Sequence, residues 1–394
     1  MDAAVATWGT QLIFARSVFN AMRLSARPFL IGSAIACGVF GFAPLPAAAQ
    51  TGVTISPTAY SNDAATARWT SPRLADPPER IVSRPTGSAP IAPGTRTFYP
   101  GAAPTIKPWP ALAQMRSPMR PRLRADATRP PADLGFGYFT ESRVFPPPTA
   151  STDSYEYPLS TVGILDFHDP KSNQGASCTA WVFPWRIIVT AGHCVAHAGT
   201  TASQRYFFTN FVFKPSYHDE NGYTPLGVWT TTYALVANAW YQSDGSVPNP
   251  QDWAVVIAAD KVDKNGTHKL GEVTGGLGVA TYALDANHLT ILGYPDNLDD
   301  GVLLQRNDAQ TYSSPGTNVF DYGSNFLAGA GGAPFVQDMG VPPAGVYYPF
   351  NFVAGVASFA SKNSTSPGYL AASQFDSNFV SLLKQACDRN AGNC

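Results

Sequence analysis

The 394-residue sequence has no apolar run long enough to cross a bilayer, no typical zinc-ligand spacing and no cofactor motif. The charge-free apolar run of residues 29–42 has 14 residues, whereas a membrane-spanning helix needs about 20. The five cysteines contain no Cys-x-x-Cys pair, and the six histidines are irregularly spaced, which argues against a zinc site. No glycine-rich phosphate loop is present. We therefore expect no stable membrane anchor, no bound metal and no cofactor.

Residues 1–49 are predicted to be a signal peptide. Arg23 and Arg27 precede the apolar run, and the three alanines at 47–49 are small residues suited to cleavage before Gln50. Cys37 lies in the middle of the run after Ala-Ile-Ala, a poor sequence for lipid attachment. A cleaved signal is preferred over a retained anchor, so the protein is expected to be secreted, either to the periplasm or outside the cell.

Residues 50–153 are predicted to be a Pro-rich disordered linker or propeptide. Residues 51–150 hold 18 of the 35 prolines and almost no apolar periodicity. They carry 12 Lys and Arg against 6 Asp and Glu, a net +6, whereas residues 151–394 carry 11 against 20, a net −9. A solvated linker is the simpler interpretation, and a propeptide attracted to the acidic domain is the alternative. No nucleic-acid partner is expected, because the arginines are scattered among prolines without a folded binding module.

Residues 154–394 are predicted to form one all-β domain. Short segments rich in Val, Ile, Phe, Tyr and Thr alternate with Gly, Pro, Asn and Asp clusters. One helix is predicted near the end, where apolar residues at 375, 379, 382, 383 and 386 share a face and Ser373 or Asp376 caps the start. The predicted strands are 161–167, 178–183, 186–190, 206–213, 253–258, 289–292, 302–305 and 352–359.

The cysteines indicate disulfides. After loss of the signal peptide four remain, Cys178, Cys194, Cys387 and Cys394, and an even number in an exported chain is typical of disulfide bonding. Four cysteines allow three pairings. The two local pairs, 178 with 194 and 387 with 394, require the least chain closure.

A histidine motif carries the most specific signal. Residues 190–194 read Thr-Ala-Gly-His-Cys, and Cys178 lies 16 residues before Cys194. Asp252, 59 residues after His193, opens the segment Asp-Trp-Ala-Val-Val-Ile. Together these segments resemble the trypsin/chymotrypsin-like serine peptidase family. The resemblance implies that His193 is the general base, that Asp252 is the buried carboxylate that orients it, and that Cys178 and Cys194 form the bridge holding the histidine loop.

Other segments extend the resemblance over residues 155–390. Gly-Tyr-Pro at 293–295 and Pro-Leu-Gly-Val-Trp at 225–229 look like segments of the bacterial extracellular, glutamyl endopeptidase-like branch. Gly-Val-Ala-Ser-Phe at 355–359 is similar to the strand that pairs with an extended substrate, which implies that Ser358 and Phe359 contact the ligand. The implied fold is two six-stranded antiparallel β-barrels with a C-terminal helix and with the site in the cleft between the barrels.

The serine nucleophile of that family is missing. Where the family has Gly-x-Ser-Gly-Gly-Pro, residues 329–334 read Gly-Ala-Gly-Gly-Ala-Pro. Alignment on Pro334 puts Gly331 at the nucleophile position, and a shift of one residue puts Ala330 there. Neither residue has the hydroxyl that an acyl intermediate requires. The backbone N–H groups of Gly329 and Gly331 could still form an oxyanion-binding nest.

Two further positions limit what the resemblance implies. Asn325 lies six residues before Gly331, where the family sets its primary preference, and it indicates neither a basic nor an acidic preference. Ala330 replaces the aspartate that would pair with a new N-terminus. We therefore expect no activation by cleavage before Thr161.

The preferred function is a non-catalytic peptidase homologue, monomeric, that binds a peptide or protein partner by strand addition. The alternative is a serine endopeptidase in which His193 and Asp252 assist an unrecognised nucleophile such as Ser324, or a water molecule. A lectin or another β-barrel unrelated to peptidases is the third hypothesis, and the motif at 190–194 argues against it.

Overall fold

The computed structural model describes residues 52–57, 96–106, 139–144, 154–218, 224–285, 288–340, 350–361 and 368–394. The predicted signal peptide lies outside the described residues. The described strands are β1 (Val53–Ile55), β2 (Phe98–Tyr99), β3 (Phe139–Arg143), β4 (Val162–Asp169), β5 (Gln174–Phe183), β6 (Ile187–Thr190), β7 (Ala196–His197), β8 (Tyr206–Phe207), β9 (Thr209–Pro215), β10 (Trp229–Ala237), β11 (Ala254–Ala258), β12 (Lys261–Asp263), β13 (Gly266–His268), β14 (Gly278–Ala280), β15 (His288–Gly293), β16 (Gln305–Gly316), β17 (Val319–Gly323), β18 (Pro334–Gln337), β19 (Phe352–Ser361) and β20 (Tyr369–Gln374). The α-helices are α1 (Asn238–Tyr241), α2 (Leu270–Thr274) and α3 (Ser377–Asp388).

The first half of the domain forms a closed barrel of six antiparallel strands. Its strand order is β10-β11-β6-β5-β4-β9, and pairing of β9 with β10 closes it. β6 and β11 are apolar on both faces and entirely buried, because one face lines the barrel and the other is covered by the rest of the domain. Both strands consist mainly of Val, Ile and Ala, and the β-branched residues among them favour extended backbone.

The second half forms another closed antiparallel barrel of six strands. The order is β18-β15-β16-β17-β20-β19, and β18 pairs with β19 to close it. Its interior is a separate apolar cluster that includes Ile291, Phe320, Phe326 and Phe335. The two closed barrels confirm the predicted fold class.

Three strands of the Pro-rich segment pair with strands of residues 154–394, two of them with barrel strands and one with β14, which itself pairs with β19. β1 pairs with β10, β2 with β14 and β3 with β16. The expectation that residues 50–153 are disordered is wrong for these three stretches, because main-chain groups on a strand edge accept any extended segment that can reach them. The rest of the segment lies outside the described residues. The boundaries at 49/50 and 153/154 stay predictions.

The last helix closes the core of the first barrel. The Asp376 carboxylate caps α3 by accepting from the backbone N–H groups of Asn378 and Phe379 at 2.8 and 3.1 Å. Phe379 stacks on Phe375 with ring centroids 3.7 Å apart and meets Trp253 edge-on. The predicted helix is confirmed with Asp376 as its cap, and Ser373 instead lies within β20. No helix of the described residues is long and apolar enough to span a membrane.

Most of the predicted strands agree with the structure, and the main error concerns residues 302–305. This segment was expected to be a strand, but residues 299–301 form a single 3-10 turn and β16 begins only at Gln305. β10, β17, β18 and β20 were not predicted from the sequence. β10 contains a Thr-Thr-Thr run at 230–232, and β20 is rich in small residues, so neither shows the strong apolar alternation on which the prediction relied.

Candidate functional site

His193 and Asp252 are brought together by two neighbouring strands of the first barrel. β6 and β11 pair with Thr190 opposite Ala254, so the chain leaving β6 and the chain entering β11 lie at the same end of the barrel. His193 belongs to the 3-10 turn at 192–194 that follows β6. Asp252 lies two residues before β11. Strand register therefore places the imidazole and the carboxylate side by side.

The contacts between these residues fix the orientation of the imidazole. His193 Nδ1 lies 2.7 Å from Asp252 Oδ2, and the backbone N–H of His193 donates to Asp252 Oδ1 at 2.8 Å. Ser358 Oγ, from β19 of the second barrel, also donates to Oδ2 at 2.7 Å. The carboxylate is fully buried, whereas the histidine side chain is 32% exposed. Because Nδ1 faces an acceptor, it carries the proton, and Nε2 is left to face the cleft.

The glycine of the histidine motif is required by packing. A Cβ on Gly192 would lie 2.5 Å from Cδ1 of Trp240, on α1, and 2.9 Å from Asp252 Oδ1. Such contacts are shorter than van der Waals separation. Only glycine lets the turn pass between the indole ring and the carboxylate.

Both local disulfides are present, which confirms the favoured pairing. Cys178 is bonded to Cys194, and Cys387 to Cys394, with Cα atoms 6.2 and 5.2 Å apart. Ligand atoms of Cys178, His193 and Cys194 lie within 4.8 Å of one another. The two sulfur atoms are already bonded to each other and cannot act as thiolate ligands, so this group is not a metal site in the oxidised protein.

The turn at 329–332 faces His193 from the second barrel. A Cβ built on Gly331 would lie 2.5 Å from His193 Nε2. Ala330 is fully buried in the second apolar cluster. The structure therefore places position 331, and not 330, opposite the imidazole.

The backbone of this turn needs glycine at two positions but not at the third. Gly329 and Gly332 have φ of +86° and +82°, in the left-handed region, whereas Gly331 is not among the residues with positive φ. A Cβ on Gly332 would also collide with Thr190 Oγ1 and the Thr179 carbonyl. Backbone conformation thus permits a side chain at position 331. The space that its Cβ would need is taken mainly by the imidazole, and Cys194 Sγ would lie 3.3 Å from it.

Thr179 holds the turn in place, a role that the sequence analysis missed. Its backbone N–H donates to the Gly331 carbonyl at 3.0 Å, and its hydroxyl donates to the Gly329 carbonyl at 2.8 Å. The hydroxyl also accepts from the backbone N–H of Tyr294 at 3.0 Å. Tyr294 is the central residue of the Gly-Tyr-Pro motif, which links this motif to the site. Thr179 directly follows Cys178, and no pattern in the sequence distinguishes it from other strand threonines.

The remaining predicted residues lie on both sides of this turn. Ser358 bonds to Asp252 and is buried, whereas Phe359 is partly exposed. Asn325 is buried and contacts Glu141, a residue of β3 that the sequence analysis did not single out. Burial raises the pKa of the Glu141 carboxyl, and hydrogen bonds from Asn325 and Ser324 offset part of that rise.

The pKa of His193 predicts a pH-dependent contribution to stability. Burial alone lowers this pKa, but the charge of Asp252 and the hydrogen bond to it raise it, and the result lies above the usual 6.5. A group whose pKa is higher in the folded state stabilises the fold fully below its unfolded pKa and loses that contribution as the pH rises through its folded pKa. Relative to His193→Gln, the natural protein should therefore be more resistant to urea at about pH 5.5 than at about pH 9.

The matched control for that comparison is His197→Gln, because His197 is exposed and stacks on Tyr206 outside the site. Its urea midpoint should follow that of the natural protein at both pH values. A His193→Gln difference with the same size at both pH values would contradict the assignment of the raised pKa.

The two closed barrels, with His193 and Asp252 on one and the glycine turn on the other, define a trypsin-like serine protease fold. No protein-family model matches the chain, and no curated protein matches it. Several solved structures are similar to it. A thermostable serine protease from an extremophilic microorganism has 19% identity and a TM-score of 0.49, with 59% of this chain and 99% of that chain covered. The protease Anisep from Arthrobacter nicotinovorans has 21% identity and a TM-score of 0.47, covering 60% and 99%. A Glu endopeptidase has 17% identity and a TM-score of 0.46, covering 63% and 97%.

Proposed function

We propose that this protein is a non-catalytic peptidase homologue that binds an extended peptide or protein segment in the cleft between its barrels. The observation that carries the proposal is the glycine at position 331, opposite Nε2 of a histidine that is otherwise held as a general base. A serine-type acyl transfer needs an oxygen nucleophile within hydrogen-bond reach of that base. Glycine provides none.

The serines that could replace the nucleophile are engaged elsewhere. Ser358 Oγ donates to Asp252, on the side of the carboxylate and away from Nε2. Ser324 Oγ donates to Glu141 and accepts from the backbone N–H of Phe326. Within the described residues, no side-chain hydroxyl hydrogen-bonds to His193 Nε2. This arrangement favours a binding function over an endopeptidase with an alternative nucleophile.

The turn keeps groups that could hold a ligand carbonyl. In the part of the chain that the structure describes, neither the Gly329 N–H nor the Gly331 N–H donates a hydrogen bond. Two such donors on one turn can bind a carbonyl oxygen without any covalent step. We assign them to carbonyl binding.

A strand edge beside the turn supports recognition of an extended segment. Residues 359–361 of β19 pair with β20 on one side only, whereas residues 352–356 of β19 also pair with β18. Among the described residues, no strand covers the second side of 358–361. An unpaired edge of this kind is the surface to which an extended peptide adds as a further strand. Phe359, partly exposed on this edge, would contact the ligand.

We also propose that the protein acts after export. Two disulfides form and persist in oxidising compartments and are rare in the cytosol. The predicted signal peptide agrees with this location.

Binding of an unfolded protein tests the proposed function. Fluorescein-labelled β-casein should bind the chain from Gln50 onward saturably in a fluorescence anisotropy titration and should remain uncut on a gel. Phe359→Ala should weaken this binding about tenfold, because an aromatic contact at a binding edge contributes on the order of 1–2 kcal/mol.

Val262→Ala is the matched control, since Val262 is an apolar residue 74% exposed on a separate hairpin. It should bind casein as the natural protein does. Absence of saturable binding would refute the proposal. Cleavage of casein that disappears in a His193→Ala variant would instead establish the endopeptidase alternative.

A further inference from the structure

Glu141 connects the Pro-rich segment to the loop that leads into the glycine turn. Its Oε1 accepts from the backbone N–H of Asn325 and, at 3.3 Å, from Ser324 Oγ. Its Oε2 accepts from Asn325 Nδ2 at 3.2 Å. These contacts span 183 and 184 residues of sequence. One carboxylate therefore receives three hydrogen bonds from two adjacent loop residues.

The donors of those bonds cannot turn to solvent instead. Ser324 is fully buried and Asn325 is 2% exposed. A buried donor that loses its partner is costly, so the loop depends on a carboxylate from outside the predicted peptidase domain. The Pro-rich segment thus contributes a specific side chain as well as backbone pairing.

The same loop is also hydrogen-bonded to residues 296–297, which follow the Gly-Tyr-Pro motif. The Asn325 carbonyl accepts from Asn297 Nδ2, and the Leu327 N–H donates to Asn297 Oδ1, both at 2.9 Å. The Asp296 N–H donates to the Ala328 carbonyl at 2.6 Å. Residues 324–328 are therefore held by Glu141 at their start and by 296–297 further along, and Gly329 follows directly.

β3 itself is anchored at several points along its length. It pairs with residues 305–309 of β16 in antiparallel register, with Glu141 opposite Asn307. The Arg143 guanidinium forms an ion pair with Asp299, and Asp299 also accepts from Gln305 Nε2 at 2.7 Å. The Val144 N–H donates to the Leu304 carbonyl at 2.9 Å. These interactions would keep the strand docked after any cut in the chain that follows it.

We propose that residues 139–144 are a permanent strand of the domain and that Glu141 is a positioning residue, which holds the loop 324–328 and through it the glycine turn that faces His193. The functional half of this inference rests on the proposed function, because it is measured as ligand binding. If residues 139–144 stay with the domain, they do not belong to a propeptide that is removed. The part of the Pro-rich segment that has to remain with the mature protein then includes at least β3.

Hydrogen exchange of the Asn325 backbone N–H tests the positioning role without any ligand. In Glu141→Ala this N–H should exchange at least about tenfold faster by NMR, because its acceptor is gone. Glu141→Asp, one methylene shorter, should also accelerate exchange and serves as the second loss variant if Glu141→Ala does not fold. Glu141→Gln keeps an oxygen acceptor for the N–H and should stay within about threefold of the natural protein.

Ser142→Ala is the control on the same strand, because Ser142 is exposed and next to Glu141. It should leave the exchange of the Asn325 N–H unchanged. Unchanged exchange in both loss variants would overturn the positioning role.

Anisotropy with labelled β-casein tests the functional half. Glu141→Ala or Glu141→Asp should raise the Kd at least about fivefold, with binding restored in Glu141→Gln. A rescue of this kind separates loop positioning from a general loss of packing. Faster exchange with an unchanged Kd would overturn the link from the loop to the cleft. If the natural protein binds no casein, the proposed function fails, and the exchange result alone decides whether Glu141 holds the loop.

Discussion

A fluorophosphonate probe should leave the natural protein unlabelled and should label Gly331→Ser only while His193 is present. The backbone at 331 lies outside the left-handed region and accepts a side chain. The hydroxyl of a serine there would be directed at Nε2 of a histidine whose Nδ1 is already bonded to Asp252. In related sites, loss of the serine alone lowers turnover by about 10⁶. The difference in labelling should therefore be nearly all-or-none.

A serine at position 331 requires a small movement of the imidazole. The Cβ would start 2.5 Å from Nε2, and ordinary contact begins at about 3.5 Å, so the ring has to retreat by roughly 1 Å. The obstruction consists of side-chain atoms and not backbone, but the ring is restrained by Asp252. Cys194 Sγ, held in its disulfide, would lie 3.3 Å from the same Cβ. We therefore expect labelling of Gly331→Ser to be slower than that of an unobstructed serine peptidase, while still depending on His193.

Two variants complete this experiment. Gly331→Ala introduces the same Cβ without a hydroxyl and should remain unlabelled. Gly331→Ser combined with His193→Ala should lose the label. If the natural protein reacted with the probe, a serine other than one at 331 would be active, and the non-catalytic proposal would be wrong.

The sequence was sufficient for the parts of the site that follow local motifs. Short sequence motifs next to strands contain His193, Asp252 and the cysteine pair. The structure brings His193 and Asp252 into contact and bonds Cys178 to Cys194, as expected. Gly331 was predicted to occupy the nucleophile position because Pro334 supplied an anchor for the alignment, and that role stays a prediction. Such motifs can be recognised in a single sequence because each of them spans only a few consecutive residues.

The parts that were missed depend on contacts between distant segments. Glu141 lies in a Pro-rich stretch and contacts Asn325 across 184 residues, so neither periodicity nor a motif could connect them. Thr179 holds the glycine turn across 150 residues. β1 consists of three β-branched residues, Val53 to Ile55. A run this short is weak evidence for a strand, and the Pro-rich composition of the whole segment predicted disorder instead. Tertiary pairing decided all three cases.

Removal of the Asp252 carboxylate should produce the largest loss of stability at the site. Its oxygens accept from the His193 N–H, from His193 Nδ1 and from Ser358 Oγ, and the side chain is fully buried. In Asp252→Ala these donors lose their acceptor and a cavity replaces the carboxylate. Removing one partner of a buried pair typically costs about 3–5 kcal/mol, so urea unfolding near pH 7 should show a loss of that order.

Ser358→Ala is the matched control, because it removes one of these three bonds, together with the bond that Ser358 Oγ accepts from the Asn249 N–H at 3.2 Å, and should cost about 1–2 kcal/mol. A loss below about 1 kcal/mol in Asp252→Ala would mean that water replaces the carboxylate and that the site is open beneath the histidine. The same variant should abolish probe labelling when introduced into Gly331→Ser, since the imidazole would lose the group that fixes its tautomer. Stability and labelling would then report on one carboxylate, which joins the two barrels through Ser358 and orients the histidine in the cleft.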